Sequence, residues 1–198
     1  MVSAEAQRFA DMVRQAPRMA ELPLAAQRTA GEHAEDLSAT PEGITYETVA
    51  DGGVAGVWAQ ASGPPPTSTV LYLFGGARRG DVDLECSHES LTRMAGEYLD
   101  GHAATDPAAS PVLAAPETVA TAWPPLLVQV GSHEVLLDDS LAVARLAALA
   151  DVPVTLDVWS QMQHFFQLGV GVYPEAAAAL ARAGAWLRER WADGTIDP

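Results

Sequence analysis

The sequence predicts an α/β fold: a reduced sheet of about five strands, mostly parallel with an N-terminal hairpin, flanked by helices. Three observations predict it. Strand and helix patterns alternate through the C-terminal third, which implies a right-handed crossover unit and at least a small parallel sheet. Pro125-Leu126-Leu127-Val128-Gln129-Val130-Gly131 is a nearly continuous apolar run of the kind that a parallel sheet buries on both faces. Upstream, Asp51-Gly52-Gly53 separates two strand-like runs and signals a hairpin. A length of 198 residues suits one domain, residues 1–198, with a real core.

The elements follow in chain order. The first forty residues are expected to be helical: Phe9, Met12 and Val13 form an apolar face, Pro17 and Pro23 punctuate, and Leu24 to His33 can form a second helix. Ile44 to Val49 and Val54 to Ala61 read as the hairpin strands. After a proline-rich loop, Thr69 to Phe74 reads as a buried strand ending on Gly75-Gly76. Residues 77–123 are less regular, with a short helix over Leu91 to Leu99. Asp139 or Ser140 can cap a helix whose apolar surface comes from Leu141, Ala142, Val143, Leu146 and Leu149. Val152 to Trp159 is another strand, and Pro174 opens an alanine-rich helix through Trp191.

Composition excludes several function classes. A formal net charge of -15 argues against a phosphate-backbone partner and disfavours an anionic membrane surface. Cys86 is the lone cysteine, so no intrachain disulfide and no thiolate metal site are available, and a reducing compartment fits. The N-terminus lacks the basic-then-apolar pattern of a signal peptide, and no apolar stretch reaches the roughly 18 residues of a membrane span. A soluble, cytoplasmic protein is expected. His33, His88 and His102 lack metal-ligand partners at useful spacing, so neither metal nor cofactor is expected. Trp58, Trp123, Trp159, Trp186 and Trp191 read as core and edge packing, and Glu85, Glu89 and Glu97 as a solvated face.

In open parallel sheets, functional groups lie on loops beyond the carboxyl ends of the strands. Three loops qualify, after Phe74, after Val130 and after Trp159, and they hold Gly75-Gly76, Ser132-His133-Glu134 and Gln161-Met162-Gln163-His164. Glu134 and His164 suit the two supporting roles of a catalytic triad. An imidazole moves a proton to and from a reacting hydroxyl, while a carboxylate fixes the ring's tautomer. Two glycines after a buried strand can offer backbone N–H groups to an oxyanion. By spacing alone this remains a pattern many α/β proteins share.

The motifs carry more. Pro124 through Asp139, with Gly131-Ser132-His133-Glu134-Val135-Leu136-Leu137-Asp138-Asp139 at its centre, resembles the acid loop of bacterial esterases in the hormone-sensitive-lipase family of α/β-hydrolases. Trp159-Ser160-Gln161-Met162-Gln163-His164-Phe165-Phe166-Gln167 is similar to that family's histidine loop. Residues 98–113 are similar to the segment leading from its cap region, and Leu22-Pro23-Leu24, the hairpin and Leu71 to Ala77 to its lid helices, first strands and oxyanion loop. The resemblance implies a carboxylic-ester hydrolase with Glu134 as acid and His164 as base. It divides the domain into lid-like helices at 1–40, first strands and oxyanion-like loop at 41–77, a junction at 78–82, and a cap remnant with C-terminal strand–helix units at 83–198. Gly75 and Gly76 match the oxyanion glycines, but Phe74 stands where the family has histidine and Ala77 where a third glycine is usual. His133 precedes the acid and reads as a solvent-facing loop residue, and Asp138 and Asp139 as helix-capping groups.

One motif is missing. The family's nucleophile sits in G-x-S-x-G on a strand-to-helix elbow, and no G-x-S-x-G occurs in this chain. Arg78-Arg79-Gly80-Asp81 leads directly into a stretch that resembles a region well downstream of the elbow, which implies an internal loss on the order of 100 residues at about 30 per strand–helix unit. Ser132, Ser160 and Cys86 do not lie in such a turn; the serines read as loop hydrogen-bonders and Cys86 as a small buried hydrophobe. The expectation is a small-molecule esterase site that is inactive or feeble. The alternative is a non-catalytic binding protein on the same scaffold, a homo-oligomer joined through exposed strand edges near Leu71–Phe74 or Leu126–Val130.

Overall fold

A computed structural model of the chain describes residues 2–17, 22–23, 25–26, 29, 42–51, 54–62 and 88–192. The expected strand Thr69–Phe74, Gly75, Gly76, the 78–82 junction, Cys86 and most of the helix expected over Leu24–His33 lie outside these residues.

Helix α1 is Ala4–Gln15, capped by Ser3, whose Oγ accepts the Ala6 N–H at 3.1 Å. The stripe it turns inward is Ala6, Phe9, Ala10 and Val13, a three-and-four spacing. Met12, expected on that face, falls off the stripe and is 53% exposed. Strands β1 (Ile44–Asp51) and β2 (Val54–Ala61) pair antiparallel as expected, with Asp51 opposite Val54.

Helix α2 (His88–Leu99) starts three residues earlier than expected. Helix α3 (Pro116–Ala122) lies in the stretch expected to be irregular. Pro116 at its first position is pre-set for helix, which offsets the brevity of the segment. Its Val119 is fully buried against Leu146, Ala147, Ala150 and Val152. That burial is what holds so short a helix.

Strands β3 (Leu126–Gly131) and β4 (Val154–Trp159) pair in parallel, Leu126 opposite Val154 through Gly131 opposite Trp159. Helix α4 (Leu137–Leu149) crosses between them. It begins before the expected caps. Leu136 is its N-cap, Asp138 and Asp139 lie in the first turn, and the Ser140 N–H bonds the Leu136 carbonyl within the helix. The two carboxylates therefore face the positive end of the helix dipole instead of capping it. Helix α5 (Pro174–Ala192) closes the described chain. Its Trp186 Nε1 donates to Thr155 Oγ1 of β4 at 3.2 Å. The four described strands form two separate two-stranded sheets.

A second core joins the chain ends: Ala6 of α1, Met162, Phe166, Tyr173, and Ala176 and Ala179 of α5. Phe9 meets Tyr173 with ring centroids 5.3 Å apart. Glu175, in the first turn of α5, accepts the Ser3 N–H at 2.5 Å and the Ser3 hydroxyl at 2.7 Å. Burial works to raise its carboxyl, but the Ser3 hydrogen bonds outweigh it and leave Glu175 below its ordinary value of 4.5. A carboxyl more acidic folded than unfolded contributes stability that is fully present above the unfolded value and is lost as pH falls through the folded one. Amide hydrogen exchange across that acid range is expected to show α1 losing protection before β3 does, and Glu175→Gln to remove the pH-dependent part of that loss.

Candidate active site

The site is built where β3 and β4 end. Because Gly131 and Trp159 are register partners, the two following loops leave the sheet side by side. Backbone groups then lace them together. The Ser132 N–H donates to the Trp159 carbonyl at 2.8 Å, the His133 N–H to the Met162 carbonyl at 3.0 Å, and the Gln161 N–H to Ser132 Oγ at 2.8 Å. Gly131 is required at this crossing, since a Cβ there would overlap the Met162 carbonyl. Gln161 and Phe165 hold left-handed backbone at φ 60° and 57°, bracketing the histidine segment. Non-glycine residues adopt that conformation at a cost and concentrate at functional sites.

Glu134 and His164 meet as a result. His164 Nδ1 lies 3.3 Å from Glu134 Oε2, with side chains 13% and 6% exposed. With its proton on Nδ1, the imidazole donates to the carboxylate and leaves the Nε2 lone pair to accept a proton. The Phe165 ring packs on the His164 ring at 3.9 Å between centroids and limits its rotation.

Behind His164, the 3-10 turn Phe166–Gly169 is held by the Tyr173 hydroxyl, which donates to the Phe166 carbonyl. Burial, with the nearby charge of Glu175, pushes the Tyr173 phenol up to about 12, so it stays a donor at any ordinary pH. Helix α1 covers the histidine loop. The space between His164, Gln161 and Gln163 on one side and Phe9, Ala10 and Val13 on the other is about 20 Å3, room for about one water.

Of the other candidates, Ser132 uses its hydroxyl to accept from the partner loop, and Ser160 is exposed on the turn after β4. No serine, threonine or cysteine among the described residues lines the cavity beside His164. His133 is half-buried and tied by its backbone N–H to the histidine loop, not turned wholly to solvent. His102 is exposed. Among the described residues no group of three His, Cys, Asp or Glu is arranged to hold a metal ion, and no helix is long and apolar enough to cross a membrane.

Sequence reasoning passed over Asp157. It is buried in β4 directly opposite Gln129 of β3. Its Oδ2 accepts from Trp159 Nε1 at 2.9 Å and Gln129 Nε2 at 3.3 Å, and its Oδ1 pairs with Arg182 Nη1 of α5 at 2.9 Å. A carboxylate inside the mostly apolar strand Val154-Thr155-Leu156-Asp157-Val158-Trp159 was the available signal, because burying a charge demands partners.

The family model described as alpha/beta hydrolase fold matches residues 70–168, half of the chain and both loops of the site. The chain belongs to the alpha/beta hydrolase fold family. The relatives of this α/β-hydrolase chain are esterases, as the sequence motifs implied. It is 42% identical over 104 residues to the acetyl-hydrolase of Streptomyces hygroscopicus, covering 52% of this chain and 33% of that protein. It is 35% identical over 80 residues to the carboxylesterase/phospholipase LipF of Mycobacterium tuberculosis, covering 40% of this chain and 21% of that one. The match thus spans a third or less of these two relatives' length.

Among solved structures, an esterase/lipase from an uncultured bacterium superposes with TM-score 0.76 at 21% identity, over 96% of this chain and 99% of that one, and shares the fold. A hormone-sensitive lipase from a metagenome library superposes with TM-score 0.51 at 32% identity, over 56% of this chain and 37% of that one.

Two glycines separate the roles of packing and of chain flexibility. Gly131→Ala is expected to destabilise this hydrolase-fold chain by about 2 kcal/mol or more, through overlap with the neighbouring backbone. Gly96→Ala, in α2 with open space around its Cα, is expected to be neutral or to stabilise by up to about 1 kcal/mol. Urea unfolding of the two variants beside the wild type measures both.

Proposed function

We propose that this chain carries the acid–base half of a carboxylic-ester hydrolase site, with Glu134 as the orienting carboxylate and His164 as the general base. The observation that carries the reading is the 3.3 Å contact between His164 Nδ1 and Glu134 Oε2, buried at the ends of two laced loops. That contact leaves Nε2 as the working nitrogen, the arrangement required for proton transfer from an attacking oxygen and to a leaving alkoxide. Its esterase relatives, the acetyl-hydrolase and LipF, supply the substrate class: a small-molecule ester. Gly75 and Gly76 are assigned to the oxyanion loop on sequence grounds.

The reading includes an internal truncation at residues 78–82 and the loss of the nucleophile elbow, since the chain has no G-x-S-x-G. A triad acts as a unit. Without its nucleophile, binding and the oxyanion hole leave only about 10³–10⁴-fold acceleration over water in serine proteases. Activity here is therefore feeble or absent. The single cysteine supports a reducing, cytoplasmic setting.

A short-chain p-nitrophenyl ester assay tests the reading. Wild-type turnover is expected to stay within about 10⁴-fold of the uncatalysed rate. The share of it owed to His164 acting as general base on water is expected to vanish in His164→Ala and to fall in Glu134→Gln, leaving the share owed to binding and the oxyanion loop. Turnover near the ~10 s⁻¹ typical of enzymes, lost in His164→Ala, would show that a nucleophile is present after all. Turnover indifferent to both substitutions would remove the pair from the chemistry.

A further inference from the structure

We propose that Asp157 is a positioning residue for the Glu134–His164 pair, acting through Trp159. The inference rests on reading that pair as an acid–base unit, and it concerns what holds the two side chains at their separation.

Trp159 is the point where the two loops join. Its backbone carbonyl accepts the Ser132 N–H at 2.8 Å and the Met162 N–H at 3.3 Å. Ser132 stands two residues before Glu134, and Met162 two residues before His164. The Trp159 ring meets Phe166, two residues after His164, at 5.6 Å between centroids. One residue therefore anchors the acid loop once and grips the histidine loop on both sides of the imidazole.

The orientation of Trp159 is set by Asp157. Both side chains leave β4 on the same face, two residues apart, toward α5. The indole N–H donates to Asp157 Oδ2 at 2.9 Å, while Gln129, held by the Ala179 carbonyl at 2.9 Å, donates to the same oxygen at 3.3 Å. Arg182 closes the arrangement, pairing with Asp157 Oδ1 and lying over the Trp159 ring at 5.4 Å. The Arg182 side chain is 61% exposed, so its ion pair is screened by solvent and adds little. The half-buried neutral donors, Trp159 and Gln129, do most of the fixing. A carboxylate 7% exposed, costly to bury, is held at the one place where its hydrogen bond decides the rotamer of the loop anchor.

The contact between the pair has a direct spectroscopic signature, an Nδ1–H resonance of His164 shifted downfield by the carboxylate and slowed in exchange with solvent. In the 15N-labelled chain, Asp157→Ala is expected to speed exchange of that proton about tenfold, the factor implied by losing the net worth of one hydrogen bond. Trp159→Phe, which removes the indole N–H, is expected to do the same, and Asp157→Asn, which keeps an acceptor oxygen, to stay near wild type. Val119→Ala loosens the other core cluster and is expected to leave the resonance unchanged, which separates positioning from loss of global stability. If Asp157→Ala does not fold, Trp159→Phe and Asp157→Asn carry the comparison.

Exchange in Asp157→Ala or Trp159→Phe equal to wild type would overturn the proposal, as would an equal effect from Val119→Ala. Failure of the underlying reading looks different: the wild type itself would lack an Nδ1–H resonance that Glu134→Ala removes.

Discussion

The parallel register of β3 and β4 puts Gly131 beside Trp159, so both strands stop at one level and their loops start as neighbours. Everything else at the site follows from that placement. Three backbone-anchored hydrogen bonds cross between the loops, and the absence of a side chain on Gly131 lets the Met162 carbonyl approach. Side chains three and five residues beyond their strands, Glu134 and His164, would wander if their loops were independent. Laced together, the loops cost conformational entropy once and hold two functional groups for it. The resulting contact is made between the loops that follow the two parallel strands of one crossover unit, β3–α4–β4.

Packing beneath the loops serves the same end from two directions. From the sheet face, Asp157 and Gln129 hold Trp159. From the other end of the chain, α1 lies over the histidine loop, with Ser3 tied to Glu175 and the Phe9 ring tilted against Tyr173. Helix α1 leaves about 20 Å3 beside His164, far below the roughly 300 Å3 of a ligand pocket. In this conformation the imidazole is oriented and covered at once.

Much of this was legible in the residues. A nearly continuous apolar run marked β3, the alternation of strand and helix patterns marked β4, the Asp-Gly-Gly turn marked the hairpin, and placing functional loops at strand ends brought Glu134 and His164 to one edge. What escaped the reading depended on tertiary partners. Helix α3 is too short to announce itself by periodicity and exists because Val119 is buried against α4. Met12 sits one position away from a buried stripe that only the packing of α1 against α5 defines. The start of α4 at Leu137 turned Asp138 and Asp139 from expected caps into first-turn charges. Asp157 was visible as a letter, but its meaning depended on Gln129 across the register and Arg182 a full loop and helix later.

The claim on which the account stands is that Glu134 and His164 interact in the folded chain. A double-mutant cycle measures this without assuming any activity: unfolding free energies of the wild type, Glu134→Ala, His164→Ala and the double variant. A buried, hydrogen-bonded pair predicts a coupling of about 1 kcal/mol or more. Effects that add to within about 0.3 kcal/mol would place the two side chains in separate environments and contradict it.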